Sequence, residues 1–333
     1  MIIDVLFFVV GLIFILVAGE LFTNGIEEVG HRHSFSQNFT GSVLAAVGTA
    51  LPETILPIIA VIFFAENAGH DIGVGAILGA PFMLSTLAFP LIGLTVIAGY
   101  LLKKRDIALN VETVGLRRDI VFFLFAYSIA LFIVPFENHI LRIFTALFLL
   151  LLYVLYVYLT LKGESGEMEE TEHLYFAPKN PNPPIWLVWF QVVFALALMI
   201  GGAHLFVHGI EKISLALGFP PLLFSLLVAP VATELPEKIN SVLWILRGKD
   251  TLAVGNVSGA MVFQSTIPVS FGIVFTKWDL QGLAFVSGVF AIFASFLVLT
   301  LSYVNKKLIP FGFALGGSLY MIYIYLVLKE VKL

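Results

Sequence analysis

The chain has 333 residues, 59% of them hydrophobic and only 12% charged, with a formal net charge of −4 and no cysteine. Soluble domains are about 45–50% apolar and about a quarter charged, so this composition excludes an ordinary soluble protein and predicts an all-α polytopic membrane protein. Disulfides, thiolate metal sites and a cysteine nucleophile are excluded as well.

Met1–Phe22 has the apolar run of a signal peptide, but its first charge is Asp4 instead of a basic cluster, and no small-x-small cleavage site follows. It is read as the first spanning helix. A span needs about 20 apolar residues. Ten stretches qualify: 3–26, 37–65, 72–102, 119–136, 139–161, 185–210, 219–246, 251–276, 280–304 and 309–328. The acidic and proline-rich stretch 163–184 cannot pack a core and reads as a linker. It divides the chain into 1–162 and 185–333, five spans in each. With the N-terminus outside, the inner loops hold 12 Lys and Arg residues and the outer ones 5. Both termini are therefore expected outside and the linker in the cytoplasm. An odd number of spans per half inverts the second half relative to the first.

The halves also match in sequence. Gly48-Thr49-Ala50-Leu51-Pro52-Glu53 returns 184 residues later as Ala232-Thr233-Glu234-Leu235-Pro236-Glu237. Leu21-Phe22-x-x-Gly25-Ile26-Glu27 returns as Leu205-Phe206-x-x-Gly209-Ile210-Glu211. At an offset of 180, Gly75-x-x-x-Gly79-Ala80 with Ser85-Thr86 returns as Gly255-x-x-x-Gly259-Ala260 with Ser265-Thr266. The shift from 184 to 180 places four extra residues in the first half, assigned to the turn Glu66–Asp71. Inverted repeats with interrupted helices are the pattern of secondary transporters.

A proline inside a membrane helix removes a backbone donor, and a glutamate there is an ionisable group where lipid is expected. Two such Pro-Glu breaks in matching places predict a shared site at mid-depth. Glu53, Glu237, the hydroxyls of Thr49 and Thr233 and carbonyls released at the breaks make an all-oxygen shell that suits a hard cation such as Ca²⁺. Asn256, next to Gly255, can add a side-chain oxygen. The paired glycines are read mainly as sites of close helix packing.

These motifs, each Pro-Glu break followed by a Gly-x-x-x-Gly helix, resemble the two alpha-repeats of the cation/calcium exchanger superfamily, its sodium/calcium exchanger branch in particular. The alpha motifs correspond to 40–86 and 224–266. The resemblance implies antiport of Ca²⁺ or a similar cation against Na⁺ or H⁺, with Glu53 and Glu237 as metal ligands and Thr49 and Thr233 at the helix breaks. It also implies that the first and sixth helices slide or rock against the other eight. The departures are specific. The serine that usually follows the threonine is Ala50 in one half and Glu234 in the other. The serine that usually follows the second glycine is Ala80 and Ala260, and the Asn or Asp one turn on is Leu84 and Gln264. Much of the implied sodium cage is thereby lost.

Glu234 and Lys238 are new charges at i, i+4. They can form an intrahelical pair; alternatively, Lys238 stands in for a bound monovalent cation, or Glu234 carries a coupled proton. Glu20 and His204 are repeat mates that could also take part in coupling. His204 and His208 share a helix face but lack the other ligands of a zinc site.

The expected protein is thus a secondary cation antiporter in the plasma (inner) membrane and not an enzyme, without a cofactor. Its partners are lipid and inorganic cations, not nucleic acid, and a monomer is compatible with the sequence. A channel or transport-inactive relative, or an embedded enzyme using Glu53 and Glu237 as acid and base, are the alternatives.

Overall fold

A computed structural model of the protein describes residues 1–32, 50–65, 68–136, 138–163, 173–180, 182–304 and 310–331, with the backbone alone at 30–32, 163, 232, 236 and 237. The fold is all-helical. Among the described residues, eight helices are long and apolar enough to cross a membrane: α1 (Ile2–Arg32), α3 (Gly69–Leu101), α4 (Thr113–Phe136), α5 (His139–Gly163), α6 (Ile185–Ala216), α9 (Asp250–Phe275), α10 (Gly282–Val304) and α11 (Pro310–Val331). Three shorter ones are also described: α2 (Leu51–Phe63), α7 (Pro221–Thr233) and α8 (Leu235–Leu246). Thr49 and the rest of 33–49 lie outside the described residues, as do Glu66 and Asn67 of the turn assigned the extra residues.

The expected span 219–246 is two helices, α7 and α8, which meet at Glu234 with φ −93° and ψ 10°. At the start of α2, Ala50 has nearly the same backbone, φ −88° and ψ 2°. In both cases a leucine opens the new helix and the proline comes next, in the first turn where a missing N–H costs nothing. The break is narrower than the sequence suggests. The Glu234 N–H still reaches the Pro230 carbonyl at 3.1 Å, and the Lys238 N–H reaches the Glu234 carbonyl at 3.2 Å.

α3 and α9 are the most buried of the long helices. α3 presses against α7 backbone to backbone. A Cβ on Gly75 or Gly79 would collide with the carbonyl oxygens of Leu222 and Leu226, and Ser225 Oγ donates to the Ile72 carbonyl at 2.7 Å. The counterparts in α9 are placed differently: no described atom lies within 4 Å of a Cβ at Gly255, and Gly259 faces the Tyr156 hydroxyl at 3.5 Å. Just beyond Gly79, α3 takes a π turn over Leu84–Ala88. Ser85 and Thr86 donate there to the Pro81 and Phe82 carbonyls at 2.8 and 2.5 Å, so their hydroxyls serve their own helix.

α1 and α6 form a second tight pair. Gly202 admits Phe14, whose Cβ would stand 2.8 Å from an added Cβ, and Gly209 admits Phe8 at 2.6 Å. One side of this pair packs apolar residues onto α2, with Ile15, Phe206 and Ile210 against Leu56, Ile59 and Ala60.

The stretch 163–184 is not a spacer throughout. Leu174 is buried with Val29 and Val188, because two buried amides capture the backbone on either side of it. Asn24 donates to the His173 carbonyl at 3.3 Å and accepts from the Tyr175 N–H at 3.0 Å. Gln191 accepts from the Phe176 N–H at 3.0 Å and donates to Asn24 at 2.9 Å and to the Leu21 carbonyl at 2.9 Å. The segment 173–176 thus clips α1 to α6. A third tie, far along the chain, is the Arg105–Asp250 pair, bidentate at 2.9 and 2.7 Å, with Asp250 also accepting the Asn110 N–H at 2.9 Å.

Two stability measurements follow from this packing. Gly79→Ala should cost about 1–3 kcal/mol through overpacking against backbone, seen as a lower melting temperature in detergent. Gly201→Ala, with no described atom within 4 Å, should be neutral or slightly stabilising; equal effects at the two glycines would contradict the close contact. Gln191→Leu strands buried partners, each worth about 1–3 kcal/mol. It should accelerate hydrogen exchange at the Phe176 amide while leaving α3 amides protected.

Candidate functional site

α2 and α8 each open on Leu-Pro and carry a glutamate at the third position, where the positive end of the helix dipole favours an anion. Glu53 is one of these, and it is 6% exposed. Glu237 is the other by sequence; its backbone lies in the first turn of α8, and its side chain lies outside the described residues. Thr233 is buried and donates to the Ala229 carbonyl of its own helix at 3.2 Å. Thr54, the mate of Lys238, does the same to the Ala50 carbonyl at 3.2 Å.

Around the second break the described side chains converge. Glu234 is completely buried and Lys238 is 7% exposed. Their ion pair closes at 3.1 Å. The Lys238 ammonium also donates to the Pro230 carbonyl at 3.2 Å and to the Met83 sulfur at 3.0 Å. The other Glu234 oxygen accepts from Gln264 Nε2 at 3.2 Å. This brings together α3, α7, α8 and α9. The intrahelical pair expected from spacing is present, and Pro236 between its members does not prevent it. Among the described residues, Gln264 Oε1 is buried without a hydrogen-bond partner.

Asn256 stands apart from Gln264. It donates to Ser241 at 3.4 Å, and eight residues of α9, about 12 Å, separate the two. Ser241 is one turn beyond position 237 on α8, so Asn256 flanks that stretch of the helix. Glu20 follows Gly19, which packs beside Pro52, whereas His204 is not at the break. Glu20 is exposed. The His204 ring lies 4.9 Å from Phe64 and 6.0 Å from Phe63, at the far end of α2 from Glu53. His208 sits 5.6 Å from Phe7. No group of three or more His, Asp or Glu side chains forms a metal cluster among the described residues; the Glu53–Glu237 pair is outside that search, because the Glu237 side chain is.

Ala50, Ala80 and Leu84 are buried, so three positions where the resemblance implies polar ligands offer no oxygen from their side chains. Sequence reasoning missed Met83 and the Pro230 carbonyl, both ligands of the ammonium. It also missed a buried cluster on α4. Asp119 accepts from Ser258 at 2.6 Å and from Arg118 at 3.3 Å, with the Arg118 guanidinium 5.6 Å over the Tyr156 ring. An acidic residue at the edge of the apolar run 119–136 was the available signal.

Several known proteins are similar to this chain in sequence or in fold. The chain is 27% identical over 277 residues to CaxA, an antiporter candidate of Alkalimonas amylolytica, covering 82% of this chain and 81% of that one. It is 22% identical over 283 residues to the inner membrane protein YrbG of Escherichia coli, covering 83% and 81%. In fold it is similar to the H⁺/Ca²⁺ exchanger CAX, with a TM-score of 0.74, 19% identity and coverage of 99% and 88%. It is also similar to the sodium–calcium exchanger NCX_Mj, with a TM-score of 0.60, 23% identity and coverage of 97% and 98%. The sequence profile of sodium/calcium exchanger proteins matches residues 3–162 and 187–329. With both halves matched, the chain belongs to the sodium/calcium exchanger protein family, a family of membrane transporters of the cation antiporter type and not of enzymes.

Proposed function

We propose that this protein is a secondary antiporter that exchanges Ca²⁺, or a divalent cation of similar size, for H⁺ by alternating access. The observation that carries the reading is the pair of matching helix starts, after Ala50 and after Glu234, each with a proline in the first turn and a glutamate directly after it. Two carboxylates at matching helix starts suit a hard divalent ion, which takes oxygen ligands. Glu53 and Glu237 would hold the cargo, with Thr49 and Thr233 beside them. The two halves would be inverted repeats of five spans each. The protein would lie in the plasma membrane, with the termini outside and the linker in the cytoplasm.

The preference for H⁺ over Na⁺ rests on ligand chemistry. Sodium needs several oxygens, and Ala50, Ala80 and Leu84 supply none from their side chains at buried positions. The moving unit would be α1 with α6, which already form one tightly packed pair.

The test is ⁴⁵Ca²⁺ flux into proteoliposomes, with pH and Na⁺ gradients imposed separately. A pH gradient should drive uptake and a Na⁺ gradient alone should not; uptake driven only by Na⁺ would overturn the choice of counter-ion. Glu53→Gln removes a charge with almost no change of shape and should reduce flux at least about a hundredfold, the effect of losing a charged ligand worth roughly 3 kcal/mol. Flux that survives this change would move the cargo site away from Glu53.

A further inference from the structure

The Lys238 ammonium is coordinated as a bound cation would be. An ammonium has three N–H donors, and three acceptors surround this one: Glu234 Oε2 at 3.1 Å, the Pro230 carbonyl at 3.2 Å and Met83 Sδ at 3.0 Å. They come from α3, from α7 and from the junction itself. The side chain is 7% exposed and its carboxylate partner 0%. A lone buried ammonium would be untenable; this one is paired with a carboxylate and makes two further hydrogen bonds.

The other half holds no such charge. Its matching positions are Ala50 and Thr54, and the Thr54 hydroxyl is bonded to its own helix. Only one of the two pseudo-equivalent positions therefore has a built-in cation.

We infer that Lys238 is a tethered, permanent occupant of a monovalent-cation position beside the second helix break, so that no monovalent ion is bound or exchanged at that position. This deepens the antiport reading and rests on it for the identity of the neighbouring cargo. Two of the three acceptors, the carboxylate and the carbonyl, are oxygen ligands of the kind Na⁺ or K⁺ takes, the Met83 sulfur is not, and Gln264, whose amide nitrogen bonds Glu234, has its Oε1 buried without a partner among the described residues.

The test needs no flux measurement. The thermal stability of purified protein is followed while Na⁺ or K⁺ replaces choline at constant ionic strength. Wild type should not respond. Lys238→Gln should gain a saturable rise in melting temperature on the order of a few degrees, because the emptied position keeps its carboxylate. The double variant Glu234→Gln/Lys238→Gln, which lacks both charges, should lose that response. A folded Lys238→Gln protein that responds no more than wild type overturns the inference, and so does an equal response in the double variant. Should Lys238→Gln not be recovered folded, Lys238→Ala is purified in Na⁺, K⁺, NH₄⁺ or choline. Recovery confined to the small cations supports the inference. Equal recovery in choline, or no recovery in any buffer, counts against it, since a true cation position refills. Absence of Ca²⁺ flux in wild type would defeat the antiport reading while leaving this ion titration to stand on its own.

Discussion

Everything at the centre of this molecule depends on where two prolines are allowed to sit. A proline in a helix interior costs about 3 kcal/mol or more, but in the first turn its missing N–H would have had no partner. Pro52 and Pro236 therefore require a new helix to begin just before them, and Ala50 and Glu234 take up the non-helical ψ near zero that this requires. The first turn of a helix is its positive end, and the residue after the proline in that turn is a glutamate in both places. Break, dipole and carboxylate are thus one constraint expressed three times. The residual helical bonds from Glu234 to Pro230 and from Lys238 to Glu234 keep the two segments in register, so the side chains at this break are held by backbone instead of by a loose loop.

The second break then diverges from the first for an electrostatic reason. Glu234 is fully buried, and a carboxylate in such a place must be paired or lose its charge. Lys238 one turn on is the nearest residue that can pair with it. Having entered the same interior, the ammonium in turn needs acceptors beyond one carboxylate oxygen. It takes the Pro230 carbonyl and the Met83 sulfur. Neither partner of such a buried pair can be removed alone without leaving an uncompensated charge, so the asymmetry of the site is self-sustaining.

The sequence made the local part of this legible. Hydropathy marked the long helices to within a few residues at most ends, because lipid demands continuous apolar surface. The Pro-Glu breaks and the Glu234–Lys238 spacing could be read because proline chemistry and i, i+4 contact are properties of a single segment. Met83 could not be read that way: it meets Lys238 across 155 positions of chain. The docking of 173–176 escaped notice for the same reason, since Asn24 and Gln191 are 167 positions apart and only their meeting makes a place for Leu174. Repeat arithmetic also had a limit. It paired Gly75 with Gly255 and Glu20 with His204, yet equivalent positions in sequence met different surroundings, with α7 carbonyls against Gly75 and phenylalanine rings against His204.

The kinds of contact between the helices indicate where motion is cheap. α3 and α7 are joined by a hydrogen bond between Ser225 and Ile72 and by glycines set against carbonyls. Such contacts are directional and close, and they do not slide without breaking. α1 and α6 are joined by Gly202 and Gly209 and by the amide clip at Asn24 and Gln191, which favours movement of the two as one piece. Between that pair and α2 the described packing is apolar, Ile15 and Phe206 against Leu56 and Ile59, and near the break Gly19 leaves ordinary van der Waals room beside Pro52, at 3.6 Å for an added Cβ. Apolar contact is non-directional, so a displacement along this seam exchanges one set of contacts for another at little cost. The seam runs past Pro52, directly beside Glu53. A sliding α1–α6 pair would therefore change what covers that carboxylate while leaving the α3–α7 framework and its tethered ammonium undisturbed.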